Sequence, residues 1–319
     1  MKKVLVTGGA GFIGSNLADA LLRRGDTVVA LDNFDPFYSA RIKRANIAWA
    51  HKQSRYTFYQ LDIRHQDPVR AVFDKERPDV VVHLAAKAGV RPSLRDPKLY
   101  EEVNVIGSQH ILDACRDFPP SHLVFASSSS VYGGCTEIPF CEDNPVAKPI
   151  SPYAATKRMN ELMGHVYSHI YGLRITMLRF FTVYGPRGRP DMAISKFTRL
   201  IGQGKPVPVY GDGTTRRDYT YIDDILDGVL KAVERPFDFE IINLGESRTT
   251  ALSELIDLVA KHVGRAAEIE PLPLQPGDVS ITCASIDKAK KLLGYNPQFP
   301  LEEGIAEFMV WYREHAGVL

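Results

Sequence analysis

Two stretches carry side chains whose types and spacing could move protons. The first is SPYAATK, from Ser151 to Lys157. Ser-Pro suits a helix start, with the serine as N-cap and the proline in the first turn. Tyr153 and Lys157 then lie one turn apart on the same helical face. A lysine ammonium beside a phenol favours the phenolate and would pull the tyrosine below its free value of about 10. A phenolate of that kind can take a proton from an alcohol while hydride leaves the carbon. The same spacing also arises by chance on many surface helices, so its meaning depends on its surroundings. The second stretch is FASSSSVYGG, from Phe125 to Gly134, in which four hydroxyls follow an apolar run with no acid among them. Such hydroxyls can hydrogen-bond a reacting group. They can equally satisfy backbone groups at a strand end.

A third stretch, GGAGFIG, sets glycines at Gly8, Gly11 and Gly14, between a short apolar run and a helical pattern. A turn without side chains lets backbone N–H groups approach a pyrophosphate, and a helix N-terminus adds partial positive charge. Asp32 closes the second apolar run. An acid there accepts hydrogen bonds from ribose hydroxyls and repels a 2′-phosphate, which points to NAD rather than NADP. Asp62 closes the third run and suits either an adenine contact or a helix cap.

The elements that must hold these groups alternate. Apolar, β-branched runs over 3–9, 26–32, 56–62, 79–86, 122–128 and 174–180 read as buried strands. Helical stretches separate them, over about 12–24, 68–76, 98–116 and 153–171. The expected fold is α/β: a Rossmann-like, doubly wound parallel sheet with a smaller α/β substrate lobe. The first lobe spans 1–180, with a return segment at about 220–246. The Gly-, Pro- and Arg-rich remainder, 181–319, forms most of the second. Of the 319 residues 45% are hydrophobic and 24% charged, and the net charge is +1. No basic block offers a footing for nucleic acid. The four cysteines form no C-x-x-C pair and the histidines no close ligand pair, so reduced thiols, a cytoplasmic setting and no metal are expected. The apolar run at the N-terminus stops at Gly8, too short for a signal peptide, and no run is long enough to span a membrane.

Taken together, the glycine turn, the serine run and Y-x-x-x-K make the chain resemble the extended short-chain dehydrogenase/reductase family. FFTVYGPRGRPDM, YGDGTTRRDYTYIDD and QPGD…LGYNP resemble the substrate-lobe motifs of its nucleotide-sugar epimerases and dehydratases. LAAKAGVRPSLRDP and GPRGRPDM are similar to the group acting on UDP-glucuronic acid at C4. The resemblance implies NAD held by Gly8, Gly11, Phe12, Ile13, Gly14, Asp32, Asp62, Ile63, Leu84, Ala85, Ala86 and Lys87, together with Tyr153 and Lys157. It implies Tyr153, Lys157 and Ser128 as catalytic residues. A UDP-sugar would meet Ser128, Ser129, Ser130, Thr182, Arg189, Arg217 and Asp278. Sugar dehydratases usually carry Asp-Glu where Ser129 and Ser130 stand, and the decarboxylases typically a glutamate in the same segment. Hydroxyls there suit a uronate carboxylate. Gln275 departs from an arginine carried by galactose epimerases. The implied activity is conversion of UDP-glucuronate to UDP-galacturonate through a 4-keto sugar. UDP-glucose/UDP-galactose epimerisation, decarboxylation of UDP-glucuronate, and a silent NAD-binding sensor are the alternatives. Relatives pair as homodimers through helices matching 98–116 and 153–171.

Overall fold

The computed structural model describes residues 1–274, 277 and 279–317. Six strands form first: β1 (Lys3–Thr7), β2 (Thr27–Asp32), β3 (Tyr56–Gln60), β4 (Val80–His83), β5 (His122–Ser128) and β6 (Ile175–Phe180). Short strands follow at β7 (Thr182–Tyr184), β8 (Val207–Tyr210), β9 (Arg216–Arg217) and β10 (Tyr219–Tyr221). Then come β11 (Phe239–Leu244), β12 (Thr250–Ala251) and β13 (Ile269–Leu272). The main sheet has seven parallel strands in the order β11-β6-β5-β4-β1-β2-β3.

Both faces of this sheet are covered, which is why its strands read as unbroken apolar runs. Val4 and Val6 of β1 join one core with Leu17 and Leu21 of helix Phe12–Arg24 and with Val229 of helix Ile222–Glu234. Leu5, between them, joins the opposite core with Phe73 of helix Gln66–Glu76, Ile111 of helix Ser108–Asp117 and Tyr167 of helix Pro152–Tyr171. The last helix begins as expected, for the Ser151 hydroxyl accepts the Ala154 N–H at 3.1 Å and Pro152 fills the first turn.

Three expected strands overrun the observed ones. β1 stops at Thr7, β3 at Gln60 and β4 at His83. Their apolar tails, including Leu61 and Leu84–Ala86, turn away from the ladder and line a crevice instead. The expected helix over 98–116 is also interrupted: Pro97–Glu101 and Ser108–Asp117 flank a π-helical segment, Glu102–Gly107. Gly107 sits there because a Cβ would lie 2.7 Å from Ile63 Cγ1.

The remaining short strands form pairs rather than one sheet. β7 with β10 and β8 with β13 run parallel, and β9 with β12 antiparallel. Helix Leu252–Val263 packs against both Ala193–Gly202 and Leu301–Glu314. The chain crosses between layers more than once, since helix Asp287–Leu293 packs against β11 and helix Ile222–Glu234.

Candidate active site

A cavity of about 450 Å³ opens along the carboxyl ends of the main-sheet strands. Open α/β sheets bind their ligands at the same place, outside the carboxyl ends of the strands. Gly8, Gly11, Phe12, Ile13, Gly14, Asp32, Asp62, Ile63, Leu84, Ala85, Ala86, Lys87, Ser128, Ser129, Ser130, Tyr153, Lys157, Thr182 and Arg189 all line it. Arg217 does not: it lies on β9, where Nη1 donates to the Arg216 carbonyl at 2.8 Å. Asp278 and Gln275 lie outside the described residues.

At one end the glycine turn makes a cradle that tolerates no side chain. Gly8 has φ +69°, and a Cβ on it would sit 2.9 Å from Ala85 N. A Cβ on Gly14 would sit 2.2 Å from Gly8 O. The helix that starts at Phe12 therefore seats directly on the turn. Its first-turn amides have no carbonyl of their own helix to bond, and they are available to an anion.

Asp32 is buried and held by two backbone donors, Ala10 N at 3.1 Å and Phe34 N at 2.7 Å. Burial pushes its carboxyl pKa up, against the opposing pull of Lys43 and those two amides. Asp62 differs. Burial works against its ionisation, but hydrogen bonds from Arg64 and Asn33 prevail and hold its pKa near 2. Lys87 forms an ion pair with Asp35 at 2.9 Å and lies over the Phe37 ring, which Arg189 also faces. Arg189 is further held by Asp191 through two hydrogen bonds, of 3.0 and 2.8 Å.

At the other end stand the tyrosine and the serines. Ser128 hydrogen-bonds the Tyr153 phenol. Ser128 Oγ also accepts from Ser130 Oγ at 2.9 Å and Ser130 N at 3.2 Å, so its own proton is directed elsewhere. The Ser129 and Thr182 hydroxyls make no bond within the described residues. The expectation that Lys157 depresses the phenol is not met by the protein alone. Burial pushes the Tyr153 pKa up, while the Ser128 hydrogen bond and the Arg189 charge pull it down. Desolvation penalises a phenolate more than a lysine engaged elsewhere relieves it. Lys157 Nζ donates to the Ala126 carbonyl at 2.8 Å, and burial lowers its own pKa to about 8 despite Glu161.

Several supporting residues carry no local signal in the sequence. The first of the four serines, Ser127, is structural: its hydroxyl donates to Glu161 Oε1 at 2.6 Å. Glu161 is fully buried and takes two hydrogen bonds from Arg179, at 2.8 and 2.9 Å, plus one from Arg158 at 3.0 Å. Arg179 goes on to the Tyr132 hydroxyl, which donates to Asn243. On the cofactor side, His83 bonds Thr7 Oγ1 at 2.7 Å and Ser108 Oγ at 3.0 Å. Burial and the nearby Lys157 lower its pKa to about 3, so it is a neutral strut between β1 and β4. Among the described residues no cluster of His, Cys, Asp and Glu could hold a metal ion, and no helix is long and apolar enough to cross a membrane.

A glycine cradle, an acid at the end of β2 and a Tyr–Ser pair in one crevice define a dinucleotide-dependent enzyme acting on an alcohol. The chain belongs to the NAD dependent epimerase/dehydratase family, whose profile matches residues 4–245. It is 42% identical over 312 residues to a UDP-glucuronate 4-epimerase of Thermodesulfobacterium geofontis, covering 98% of this chain and 96% of that one. Among solved structures it is similar to UDP-glucuronic acid 4-epimerase from Bacillus cereus in complex with UDP-glucuronic acid and NAD (TM-score 0.93, 37% identity, 98% and 99% coverage). It is also similar to UDP-glucose 4-epimerase from Thermotoga maritima with UDP-glucose (TM-score 0.90, 32% identity, 98% and 99% coverage).

Proposed function

We infer that the chain is an NAD-dependent UDP-glucuronate 4-epimerase that forms UDP-galacturonate. The observation that carries this reading is that hydroxyls, and no carboxylate, follow Ser128 in the serine run beside Tyr153. The free hydroxyls of Ser129 and Thr182 share the cavity with Arg189 and with the Tyr153–Ser128 pair. Two relatives with the same printed activity or ligand support it.

The residues fit a dinucleotide. A Cβ at Gly8 or Gly14 would strike the backbone that forms the cradle, and Asp32 is pre-oriented by two amides. Gly11, Phe12 and Ile13 would meet the pyrophosphate, Asp32 the adenosine ribose, Asp62 and Ile63 the adenine, and Leu84–Lys87 the middle of the molecule. Bound NAD supplies a reversible hydride acceptor for the sugar C4–H bond. Tyr153, with Ser128 as its partner, takes the O4 proton as that bond breaks. It returns the proton when the bond re-forms on the opposite face, after the sugar has turned about its link to the diphosphate. Lys157, anchored on the Ala126 carbonyl, fixes the floor beneath this exchange. By task, residues 1–180 with about 220–246 hold the cofactor, and most of 181–319 holds the UDP-sugar. Arg217 and Asp278 are assigned to its nucleotide end.

The 4-keto sugar is a β-keto acid, which loses CO₂ when the carboxylate bond aligns with the carbonyl π-system. Ser129, Thr182 and Arg189 hold the carboxylate out of that alignment. Ser130 joins them by a χ1 rotation away from Ser128. Replacing Thr182 by Val should raise the UDP-pentose by-product about tenfold, the rate equivalent of one lost hydrogen bond to a charged group. Product analysis by NMR reads this, and a change in affinity with no change in product ratio would sink the restraint. The helix bearing Tyr153 also presents Met159, Leu162, Val166 and Ile170 uncovered along one face, near Ile106. That stripe suits a second copy of the chain, as a homodimer.

The deciding experiment offers UDP-glucuronate and UDP-glucose separately to the purified protein with no added cofactor. UDP-galacturonate from the first alone supports the reading. UDP-galactose from the second would return Ser129 and Thr182 to a structural part, and UDP-xylose would mean the carboxylate is not restrained.

A further inference from the structure

Residues Gly185 to Gly188 make a tight turn beside the cavity. The Gly188 N–H donates to the Gly185 carbonyl at 2.9 Å, Pro186 takes the second place and Arg187 the third, with φ +67°. A type II turn needs a positive φ at that third place and favours glycine or asparagine there. An arginine is strained in it, and strain of this kind persists where the surrounding structure holds it and gathers at functional sites. The Arg187 side chain reaches helix Phe12–Arg24, where Nη2 donates to Asp19 Oδ2 at 2.7 Å. Asp19 is 3% exposed. One turn earlier on the same helical face, Asn16 Nδ2 donates to the Pro186 carbonyl at 3.0 Å. Asp19 Oδ1 and Arg187 Nη1 are buried and find no hydrogen bond among the described residues. A buried ion pair left partly unsatisfied adds little to stability over apolar packing. What it does fix is place. The next residue but one is Arg189, which lines the cavity, and the helix is the one that starts on the glycine cradle.

We propose that Asp19 and Arg187 are positioning residues for Arg189: their buried ion pair, with the Asn16–Pro186 hydrogen bond, keys the arginine that holds the substrate carboxylate to the helix that seats the dinucleotide. The proposal rests on the UDP-glucuronate reading. Cofactor and carboxylate then take their positions from one rigid element, so the sugar C4 and the hydride acceptor stay in register while the carboxylate is restrained. Asp191 and the Phe37 ring orient the guanidinium itself. They hold its tip, and the Arg187 anchor holds the backbone from which it extends.

The test compares Arg187→Gly, Arg187→Asn, Arg187→Lys, Asp19→Ala and the Asp19→Ala/Arg187→Gly double variant with wild type. Glycine and asparagine both accept the positive φ, so these two variants keep the turn and lose only the anchor. Each protein is given UDP-glucuronate, and NMR reads the ratio of UDP-pentose to UDP-galacturonate alongside KM. Neither quantity depends on how much of the protein is folded, so a merely structural role would not move them. Arg187→Gly, Arg187→Asn and Asp19→Ala should raise both by roughly threefold to tenfold, the upper end being full loss of one charge-assisted hydrogen bond. Arg187→Lys, which keeps a cation in reach of Asp19, should stay near wild type. The double variant should be no worse than Arg187→Gly alone, since the two residues act as one unit. Wild-type ratio and KM in the glycine and asparagine variants would make the pair a brace of the fold and overturn the inference alone. A rise with glycine but not with asparagine would assign the effect to chain flexibility and overturn it too. If wild type forms no UDP-galacturonate, the UDP-glucuronate reading falls and this inference falls with it.

Discussion

Tyr153→Phe should lower kcat for 4-epimerisation by about 10²–10⁴-fold, the range for loss of a positioned proton carrier. KM for UDP-glucuronate should change little, because the ring and its packing against Tyr100 remain. The phenol is the group that Ser128 hydrogen-bonds, and Ser128 is itself aligned by Ser130. Removing the hydroxyl leaves Ser128 pointing at nothing. The pH profile carries a second signature. Burial raises the Tyr153 pKa, so the base form gains population only as pH rises, and kcat/KM should climb with pH on its acidic limb. Arg189 lowers that pKa, so Arg189→Gln should move the limb to higher pH as well as weaken substrate binding. Steady-state kinetics across pH read both effects. A Phe variant with wild-type kcat would remove Tyr153 from the chemistry, and an unmoved limb in the Gln variant would remove Arg189 from its electrostatics.

That tyrosine also marks where sequence reasoning stops. Its place on the helix beside Lys157 was legible, because helical spacing and the Ser151-Pro152 start are local facts. The glycine cradle was legible for the same reason, and the parallel sheet followed from strands that are apolar on both faces. The sign of the tyrosine's pKa shift was not legible. It depends on how much protein surrounds the phenol and on which oxygen the lysine chooses, and both are settled by packing. Leu61 and Leu84–Ala86 read as strand because they are apolar, yet they line the crevice where the ladder ends. Lys43 looks like one more basic residue in ARIKRAN until the fold buries it beside Asp32. Ser127 looks like its three neighbours until the strand's alternation turns it inward, toward Glu161. Arg179 and Glu161 lie on a strand and a helix, 18 residues apart, with nothing local to announce that they pair.

That pair carries the largest expected effect on stability. Arg179 is 1% exposed and Glu161 fully covered, so each has given up its water. Arg179→Met should cost about 3–5 kcal/mol, the usual loss when one partner of a buried ion pair is removed. Most of that cost is Glu161 left charged under the serine run, with Ser127 and the partly buried Arg158 as its remaining partners. The pH dependence separates this account from simple loss of packing. In the wild type, burial works against Glu161 ionisation, but the Arg179 hydrogen bonds and charge outweigh it and the folded pKa lies below the ordinary 4.5. The pair's contribution is therefore fully present above that value and is lost as pH falls through the lower folded pKa. Without Arg179 the burial dominates and the folded pKa rises above 4.5, so the sign inverts. The variant should gain stability relative to wild type as pH falls, because protonation removes the uncompensated charge. Glu161→Gln added to Arg179→Met should recover part of the loss near neutral pH, where the single variant is worst. Denaturant unfolding of the three proteins at neutral and at mildly acidic pH measures all of this. A deficit that is equal at both pH values would mean the arginine's bulk matters there, and not its charge.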